Sequence, residues 1–190
     1  MIDISEIKEK YKLLLNKAES IMKSIDDPEH NIMHMYEVLE FTIDLLNNVD
    51  DKVDSEVCII AAYWHDTGRS IQTCGHEQVS AKMLKEEMLK LNYENDFIQK
   101  CYNAIEFHKW NMIPITIEGW IVKDADKIAW IGTKRWERCM NNKKILNDIT
   151  DLLPKLRNEI LHFEYSKKIY DIQIVKLLNL IYDRFNHLNK

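Results

Sequence analysis

The residues of this sequence best suited to chemistry are histidines and aspartates that stand beside apolar segments. His65 and Asp66 directly follow the eight-residue apolar run 57–64. A buried, unpaired carboxylate there would be costly, so it needs a hydrogen-bond network, a cation or a metal. Imidazole nitrogen and carboxylate oxygen without thiolate suit zinc, manganese, iron, cobalt or nickel. In chain order the candidate ligands are His34, His65, Asp66, His76, His108 and Asp126.

Steps of three and four between apolar residues predict a series of amphipathic helices. We predict helices over 4–25, 31–48, 54–66, 77–91, 95–108 and 117–131, and two or three more in 134–190. The helix at 54–66 is apolar on all sides, which predicts that other helices surround it. The sequence has only four glycines and three prolines and shows no alternating strand pattern. It therefore predicts an all-α bundle of about seven to nine helices.

Most of the candidate ligands lie at the ends of these helices, where side chains can reach a common cleft. Asp124 and Asp126 are different, because both stand inside the helix predicted at 117–131. Two positions along a helix turn the side chain by about 200°. Only one of the two acids can face a shared site, and the spacing alone leaves open which one it is.

Length, charge and composition argue for a single-domain protein and against nucleic-acid-binding, membrane and secreted classes. A chain of 190 residues and 22.7 kDa fits one domain, and we expect residues 1–190 to form it. A net charge of −5 and a pI of about 5.8 argue against nucleic-acid binding. The apolar runs are too short to cross a bilayer, and the N-terminal residues do not resemble a secretory leader. Four scattered cysteines indicate reduced thiols, so we expect a cytoplasmic protein without membrane partners.

Together these segments resemble the HD-domain superfamily of metal-dependent phosphohydrolases. A bare His-Asp pair is a weak signal, but several matching segments in the same order are specific. The resemblance spans about 31–132 and implies one HD-type helical domain, with C-terminal helices in 134–190 packing on this core. The matching segments are His34 with Val38, Ala61–Arg69 (AAYWHDTGR), Gly75–Glu77 (GHE), Ala104–His108 (AIEFH) and Asp124–Ile128 (DADKI).

The resemblance also implies which residues hold the metal. The family's acidic ligand stands before the Lys-Ile step, which selects Asp126 over Asp124. His76 and His108 fall where members with two ions carry further histidines, and Asp66 would then bridge the ions. We expect one or two divalent ions of manganese, iron, zinc, cobalt or nickel, with magnesium as a further candidate. The basic metal set is His34, His65, Asp66 and Asp126.

The implied reaction is hydrolysis of a phosphate ester by metal-activated water, as in a phosphodiesterase-like hydrolase. His65 and Asp66 would form the catalytic centre, with Asp66 orienting or relaying a proton. Charge that develops on the phosphate needs nearby cations. We expect Arg69, Lys109 and Lys127 to bind the substrate, and Arg69 and Lys127 to assist catalysis. The expected partner is a small phosphorylated compound, with nucleotides as the leading class.

Three expectations concern residues around this set. Glu37 stands where the family often has arginine, so one anion contact of the family is absent. Lys134, Arg135 and Arg138 are interpreted as a solvated helix face. His30 is expected to touch neither metal nor substrate, although it is close to His34 in the chain.

Two other functions fit the same ligand pattern. An HD-type diiron oxygenase would hold two irons on the six ligands, and a non-catalytic nucleotide-sensing domain would bind without turnover. The last helix is expected to pack on the core of the same chain. Packing against a second copy of the chain, to form a homo-oligomer, is the alternative. The apolar residues of this helix are Ile169, Ile172, Val175, Leu178, Ile181, Tyr182 and Phe185.

Overall fold

The computed structural model describes residues 4–49, 52–139 and 152–188, and these ranges contain helices and no strand. The all-α prediction is confirmed, with slightly more helical segments than the expected seven to nine. Of the region 134–190, where two or three helices are predicted, residues 140–151 lie outside the described residues. A 3-10 helix, Thr67–Ser70, follows α4, and a π-helical turn, Leu156–Ile160, precedes α9. Helices α1 to α9 are Ile4–Lys10, Lys12–Lys23, Ile32–Asn48, Ser55–Trp64, His76–Lys90, Asn95–Glu106, Ile117–Trp130, Thr133–Cys139 and Glu164–Leu188.

The single helix predicted over 4–25 is wrong at Tyr11, where the chain bends between α1 and α2. Backbone hydrogen bonds from Tyr11 N to Ile7 O and from Leu15 N to Tyr11 O, both 3.0 Å, carry the chain through the bend. The buried Tyr11 ring stacks on Phe97 with 5.7 Å between ring centroids, and its hydroxyl donates to Glu56. These contacts are made by residues far away in the chain, so helical periodicity could not reveal the bend.

Helix α4 lies at the centre of the bundle and delivers the His-Asp pair. Its residues 57–64 are all buried, and it contacts α2, α3, α5, α6 and α7, which confirms the prediction of a surrounded helix. Asp54 caps its N-terminus by accepting from Val57 N at 3.4 Å. The helix ends at Trp64, so His65 and Asp66 enter the interior where the neighbouring helices meet.

Helices α3 and α7 pack against each other and carry one site residue each, His34 and Asp126. Asn31 caps α3 and Thr116 caps α7, each by accepting a backbone N–H hydrogen bond with its side-chain oxygen. Such caps satisfy N–H groups that the first helical turn leaves unpaired. The start of each helix, and with it the register of its site residue, is therefore set locally.

The chain before α9 is fastened to α7 by Asp124. Its carboxylate accepts hydrogen bonds from the backbone N–H groups of His162 and Phe163, with shortest distances of 3.0 Å to each nitrogen. Burial raises the pKa of Asp124 to about 6, against the effect of these hydrogen bonds. Asp124 thus holds the C-terminal segment, while Asp126 points to the other side of α7.

Helix α9 packs on α3, α7 and α8 through the buried residues Ile169, Tyr170 and Leu177. Only part of its apolar set faces the core, and the side chain of Phe185 lies outside the described residues. Phe163 is buried in the segment that Asp124 anchors. From there, helical periodicity places Leu177 on the same inward face. Although α9 has 25 residues, neither it nor any other helix in the described ranges is apolar enough to cross a membrane. The apolar residues of α9 left exposed are Ile172, Val175, Leu178 and Tyr182.

Candidate metal centre

Five helices bring the six predicted ligands to one buried point. Each of these residues is less than 10% exposed. Helices α3 and α7 carry one ligand within their length, α5 carries one at its first residue, and the ends of α4 and α6 supply the rest. The residues brought together are His34, His65, Asp66, His76, His108 and Asp126.

The potential ligand atoms form two groups that share Asp66. Asp66 Oδ2 lies 3.7 Å from His34 Nε2 and 3.6 Å from His65 Nε2. Asp66 Oδ1 lies 2.9 Å from His76 Nε2 and 3.8 Å from His108 Nε2. Within each group of three residues the ligand atoms lie within 4.8 Å of one another. One carboxylate therefore faces two pairs of imidazoles, an arrangement suited to two ions bridged by Asp66.

Asp126 belongs with the first of these groups. Its Oδ1 lies 3.1 Å from His34 Nε2, and its other oxygen accepts a hydrogen bond from Lys127. Asp126 thus extends the group around His34 and His65, whereas the acid beside the second group is Glu77, with its Oε2 3.8 Å from His76 Nδ1.

Three of the histidines are held in the tautomer that a metal requires. Nδ1 of His65, His76 and His108 each donates to the backbone carbonyl three residues earlier, at 2.9, 2.9 and 2.7 Å. Their Nε2 atoms therefore carry a lone pair toward the centre. In the described part of the chain, the buried Nε2 atom of His65 has no hydrogen-bond partner, and that of His76 faces Asp66 Oδ1, another acceptor, at 2.9 Å. A buried nitrogen without a hydrogen-bond partner costs about 1–3 kcal/mol. A bound metal ion would supply the missing partner, so these residues fit a metal ion.

The electrostatics of the cluster also favour metal binding. Burial lowers the pKa of His34 from 6.5 to about 3, and burial likewise lowers the pKa of His108. Burial opposes ionisation of Asp66, but the adjacent His65 and Arg69 hold its pKa well below 3.8. Burial likewise opposes ionisation of Asp126, yet Lys127 and His34 keep its pKa well below 3.8. Neutral imidazoles and ionised carboxylates are the protonation states that bind a divalent cation.

A close approach at Gly68 sets the distance between the His-Asp turn and α5. The backbone N of Gly68 donates to Ser80 Oγ at 2.8 Å. A Cβ at this position would lie 2.3 Å from the carbonyl oxygen of His76, so only glycine fits. Gly75, just before α5, has a φ of +73°, which also favours glycine. These two glycines let His76 reach Asp66.

The cluster opens into a cavity of about 220 Å³ that is rich in cationic side chains. Arg69 Nε donates to Asp66 Oδ1 at 2.9 Å, and Lys127 Nζ lies 4.9 Å from the centre of the Trp110 ring. Lys109 lines the cavity as well. The three residues predicted to bind substrate thus line one cavity with four of the six candidate ligands, which are Asp66, His76, His108 and Asp126. The described cationic residues that line it are Arg69, Lys109, Lys127 and Arg135.

The interpretation of Lys134, Arg135 and Arg138 as a solvated face is wrong for Arg135, which is 4% exposed and lines the cavity. Glu37 is buried and forms an ion pair with Arg138. The side chain of Lys134 is exposed and pairs with Glu40. Glu37, which stands where the family often has arginine, thus joins α3 to α8 through its ion pair with Arg138. The spacing of three between Arg135 and Arg138 signals a shared helix face, but not that this face is buried.

Other cavity residues carried no clear functional signal in the sequence. His30, expected outside the site, lines the cavity. Glu77 is 2% exposed, and its Oε2 has no hydrogen-bond partner among the described residues. Trp110 and Trp130 pack edge to face, with ring centroids 5.1 Å apart, on the cavity wall. Lys123 donates to the carbonyl oxygen of Trp110 at 3.4 Å, which fastens this wall to α7.

Comparisons with known proteins agree with this geometry. A family model of the HD domain matches residues 31–131, which is more than half of the chain. A search of curated proteins found no match. The fold is similar to the crystal structure of a predicted HD superfamily hydrolase from an uncultured Thermotogales bacterium, with a TM-score of 0.74 and 20% identity over 98% of this chain and 99% of that one. At that identity the likeness shows a shared fold, whereas the family match is carried by the sequence itself. The chain belongs to the HD-domain family.

Proposed function

We propose that this protein is a metal-dependent phosphohydrolase acting on a small phosphorylated compound, with nucleotides as the first class to test. One observation carries the proposal: two groups of buried imidazoles share Asp66, and Asp66 lines a cavity together with cationic side chains. The ligand set suits divalent metals, and the surrounding cations suit an anionic substrate.

The proposal gives the six clustered residues the role of holding one or two ions. A bound divalent ion supplies Lewis acidity, which polarises a phosphoryl oxygen and makes water a better nucleophile. Asp66 faces both groups of imidazoles, so it is the residue placed to bridge two ions. The backbone hydrogen bonds at Nδ1 keep His65, His76 and His108 oriented toward the same point.

Three cationic residues of the cavity, Arg69, Lys109 and Lys127, bind and orient the phosphate group of the substrate. Lys127 is 4% exposed and is held by its contacts with Asp126 and Trp110. Arg69 is held by its hydrogen bond to Asp66. Because both cations are already fixed in place, little reorganisation is needed when negative charge develops on the phosphoryl oxygens. Lys109 lines the same cavity and supplies a further positive charge.

The test is phosphate release from a panel of phosphorylated small molecules, with each of Mn²⁺, Fe²⁺, Zn²⁺, Co²⁺, Ni²⁺ and Mg²⁺. We expect His65→Ala and Asp66→Ala to lower the rate by about a hundredfold or more, because each removes a group at the centre. His162→Ala is the matched control, since His162 is exposed and stacks on Trp120. Undiminished metal-dependent hydrolysis in the Asp66 variant would rule out the proposed site.

The same preparation separates the other two functions. A diiron oxygenase purified without oxygen would contain two irons and show a mixed-valent diiron signal. A nucleotide sensor would gain thermal stability from a nucleotide without releasing phosphate. Either result, in the absence of hydrolysis, would replace the proposed function.

A further inference from the structure

A buried arginine lines the cavity from a helix outside the segment that matches the HD family. Arg135 lies in α8, beyond the match at 31–131. Its side chain is 5% exposed, and the cavity that it lines also contains Asp66 and Asp126. A buried guanidinium is costly unless anionic groups compensate its charge.

Helix α8 is fixed in place independently of Arg135. Trp136 is buried, and its Nε1 donates to the carbonyl oxygen of Trp130 at 2.9 Å, which docks α8 on the end of α7. Three residues after Arg135, Arg138 makes two contacts with Glu37 on α3, one of them a 3.0 Å hydrogen bond from Nη2 to Oε2. Arg135 is therefore carried by a helix that is fixed on two sides.

The guanidinium of Arg135 is only partly paired by the described residues. Its Nη2 lies 3.3 Å from Glu29 Oε2 and 3.4 Å from His30 Nε2. Both contacts use the same nitrogen, whereas Arg138 uses two nitrogens on the two oxygens of Glu37. The same helix thus carries one arginine, Arg138, that is paired with a carboxylate through two nitrogens. Arg135 differs because its contacts use one nitrogen. Its remaining N–H groups are donors available to a cavity ligand.

The partners of Arg135 orient it without involving the metal ligands. His30 Nδ1 lies 2.8 Å from Asp27 Oδ2, which directs His30 Nε2 toward Arg135. By contrast, Arg69 and Lys127 are tied to Asp66 and Asp126, two of the candidate ligands. The observed polar contacts of Arg135 are therefore made with residues outside the ligand cluster, unlike those of Arg69 and Lys127.

We propose that Arg135 binds the phosphate group of the substrate through the N–H groups of Nε and Nη1, which its contacts with Glu29 and His30 leave unused. This inference rests on the proposed function and adds a further residue to those that bind the phosphate. A guanidinium is always charged and holds its N–H donors in fixed directions, which an ammonium group does not. In this chain α8 supplies an arginine to the cavity, while Glu37 stands at the α3 position where the family often has one.

The test compares Arg135→Met and Arg135→Lys with the wild-type protein and with Lys134→Met, a control on the exposed side of the same helix. The first measurement is the affinity of the metal-loaded protein for inorganic phosphate by calorimetry. The second is KM and kcat for the best substrate of the panel, and the third is metal content by mass spectrometry. We expect Arg135→Met to weaken phosphate binding and raise KM about tenfold or more, with unchanged metal content. Arg135→Lys should lie between it and wild type, and Lys134→Met should stay within about twofold of wild type.

If Arg135→Met does not fold, Arg135→Lys carries the test, because it keeps the charge and loses only the fixed guanidinium donors. The assignment is overturned if the folded variants bind phosphate as the wild type does, or if the wild type binds no phosphate at millimolar concentration. If the wild type binds phosphate but hydrolyses no substrate, the proposed function fails, and Arg135 is judged on phosphate affinity alone. If the wild type hydrolyses a substrate and the variants match it in KM, only the role of Arg135 fails.

Discussion

Replacing Gly68 by alanine will separate the two halves of the candidate metal site. An added Cβ would lie 2.3 Å from the carbonyl oxygen of His76 and 2.7 Å from the backbone nitrogen of Ser80. Real Cβ contacts essentially never fall below 3.0 Å, so the turn and α5 must move apart by about 0.7 Å or more. Both obstacles are backbone atoms, which cannot turn aside as a flexible side chain can.

The displacement is large compared with what a metal site tolerates. Distances between metals and ligands hold to about 0.2 Å, so a movement of this size disrupts the group of Asp66, His76 and His108. We expect the affinity for the ion in this group to fall about tenfold or more, while the group around His34 and His65 keeps its ion. The forced contact also lowers the free energy of unfolding by about 1–3 kcal/mol.

The assay is metal stoichiometry after dialysis against graded chelator concentrations, together with urea unfolding followed by circular dichroism. Gly119→Ala is the matched control, because its Cβ meets the side chain of Pro114 at 3.0 Å, at the start of α7 and away from the cluster. We expect the control to change the free energy of unfolding by less than about 1 kcal/mol and to keep the wild-type stoichiometry. A Gly68 variant that binds ions with the stoichiometry and affinity of the wild type would refute this role of the glycine.

Three further predictions concern stability. Asp124→Ala leaves the backbone N–H groups of His162 and Phe163 without their acceptor, so urea unfolding should show a loss of about 2–5 kcal/mol, and a loss below about 1 kcal/mol would contradict the anchoring role. The hydrogen bond from His30 lowers the pKa of Asp27 to about 2, so its stabilisation exists above the unfolded-state pKa near 4 and disappears as the pH falls toward 2. Asp27→Asn should therefore be less stable than wild type at pH 6, by less than about 1 kcal/mol for this partly exposed pair, and equal to it near pH 2 in urea titrations. Removing metal with a chelator should lower Tm, and returning an ion at about 100 times its Kd should restore about 2.7 kcal/mol; a Tm indifferent to chelation would argue against a resident ion.

Much of the fold follows from local patterns in the sequence. Helix α5 runs over His76–Lys90 against a predicted 77–91, and α7 runs over Ile117–Trp130 against 117–131. These limits are predictable because capping residues such as Thr116 act within one turn of the helix that they bound. The bend at Tyr11 was missed because the apolar period continues through it without a proline or glycine, and the contacts of Tyr11 with Glu56 and Phe97 join residues more than forty positions apart.

The candidate ligands could be gathered from the sequence because each is a polar residue in an apolar context at a helix end or on one helix face. The choice of Asp126 over Asp124 depended on the family motif, and the structure shows where each side chain goes. The division into two groups by the two oxygens of Asp66 could not be predicted, since it depends on the orientation of one carboxylate among four helices.

The sequence by itself determined most of the helical segments and the enclosure of α4, because periodicity and burial cost act locally, and it predicted the candidate ligands with the help of the family motif. Only the tertiary structure decided which face of α9 is buried and that Arg135 points into the cavity. The position of Arg135 depends on pairs such as Arg135 with Glu29 and Arg138 with Glu37, which are separated by 106 and 101 positions, and the face of α9 depends on the anchoring of the preceding chain by Asp124. A charge on an amphipathic helix has the same local pattern whether it meets water or a buried partner, so only the packed bundle distinguishes the two.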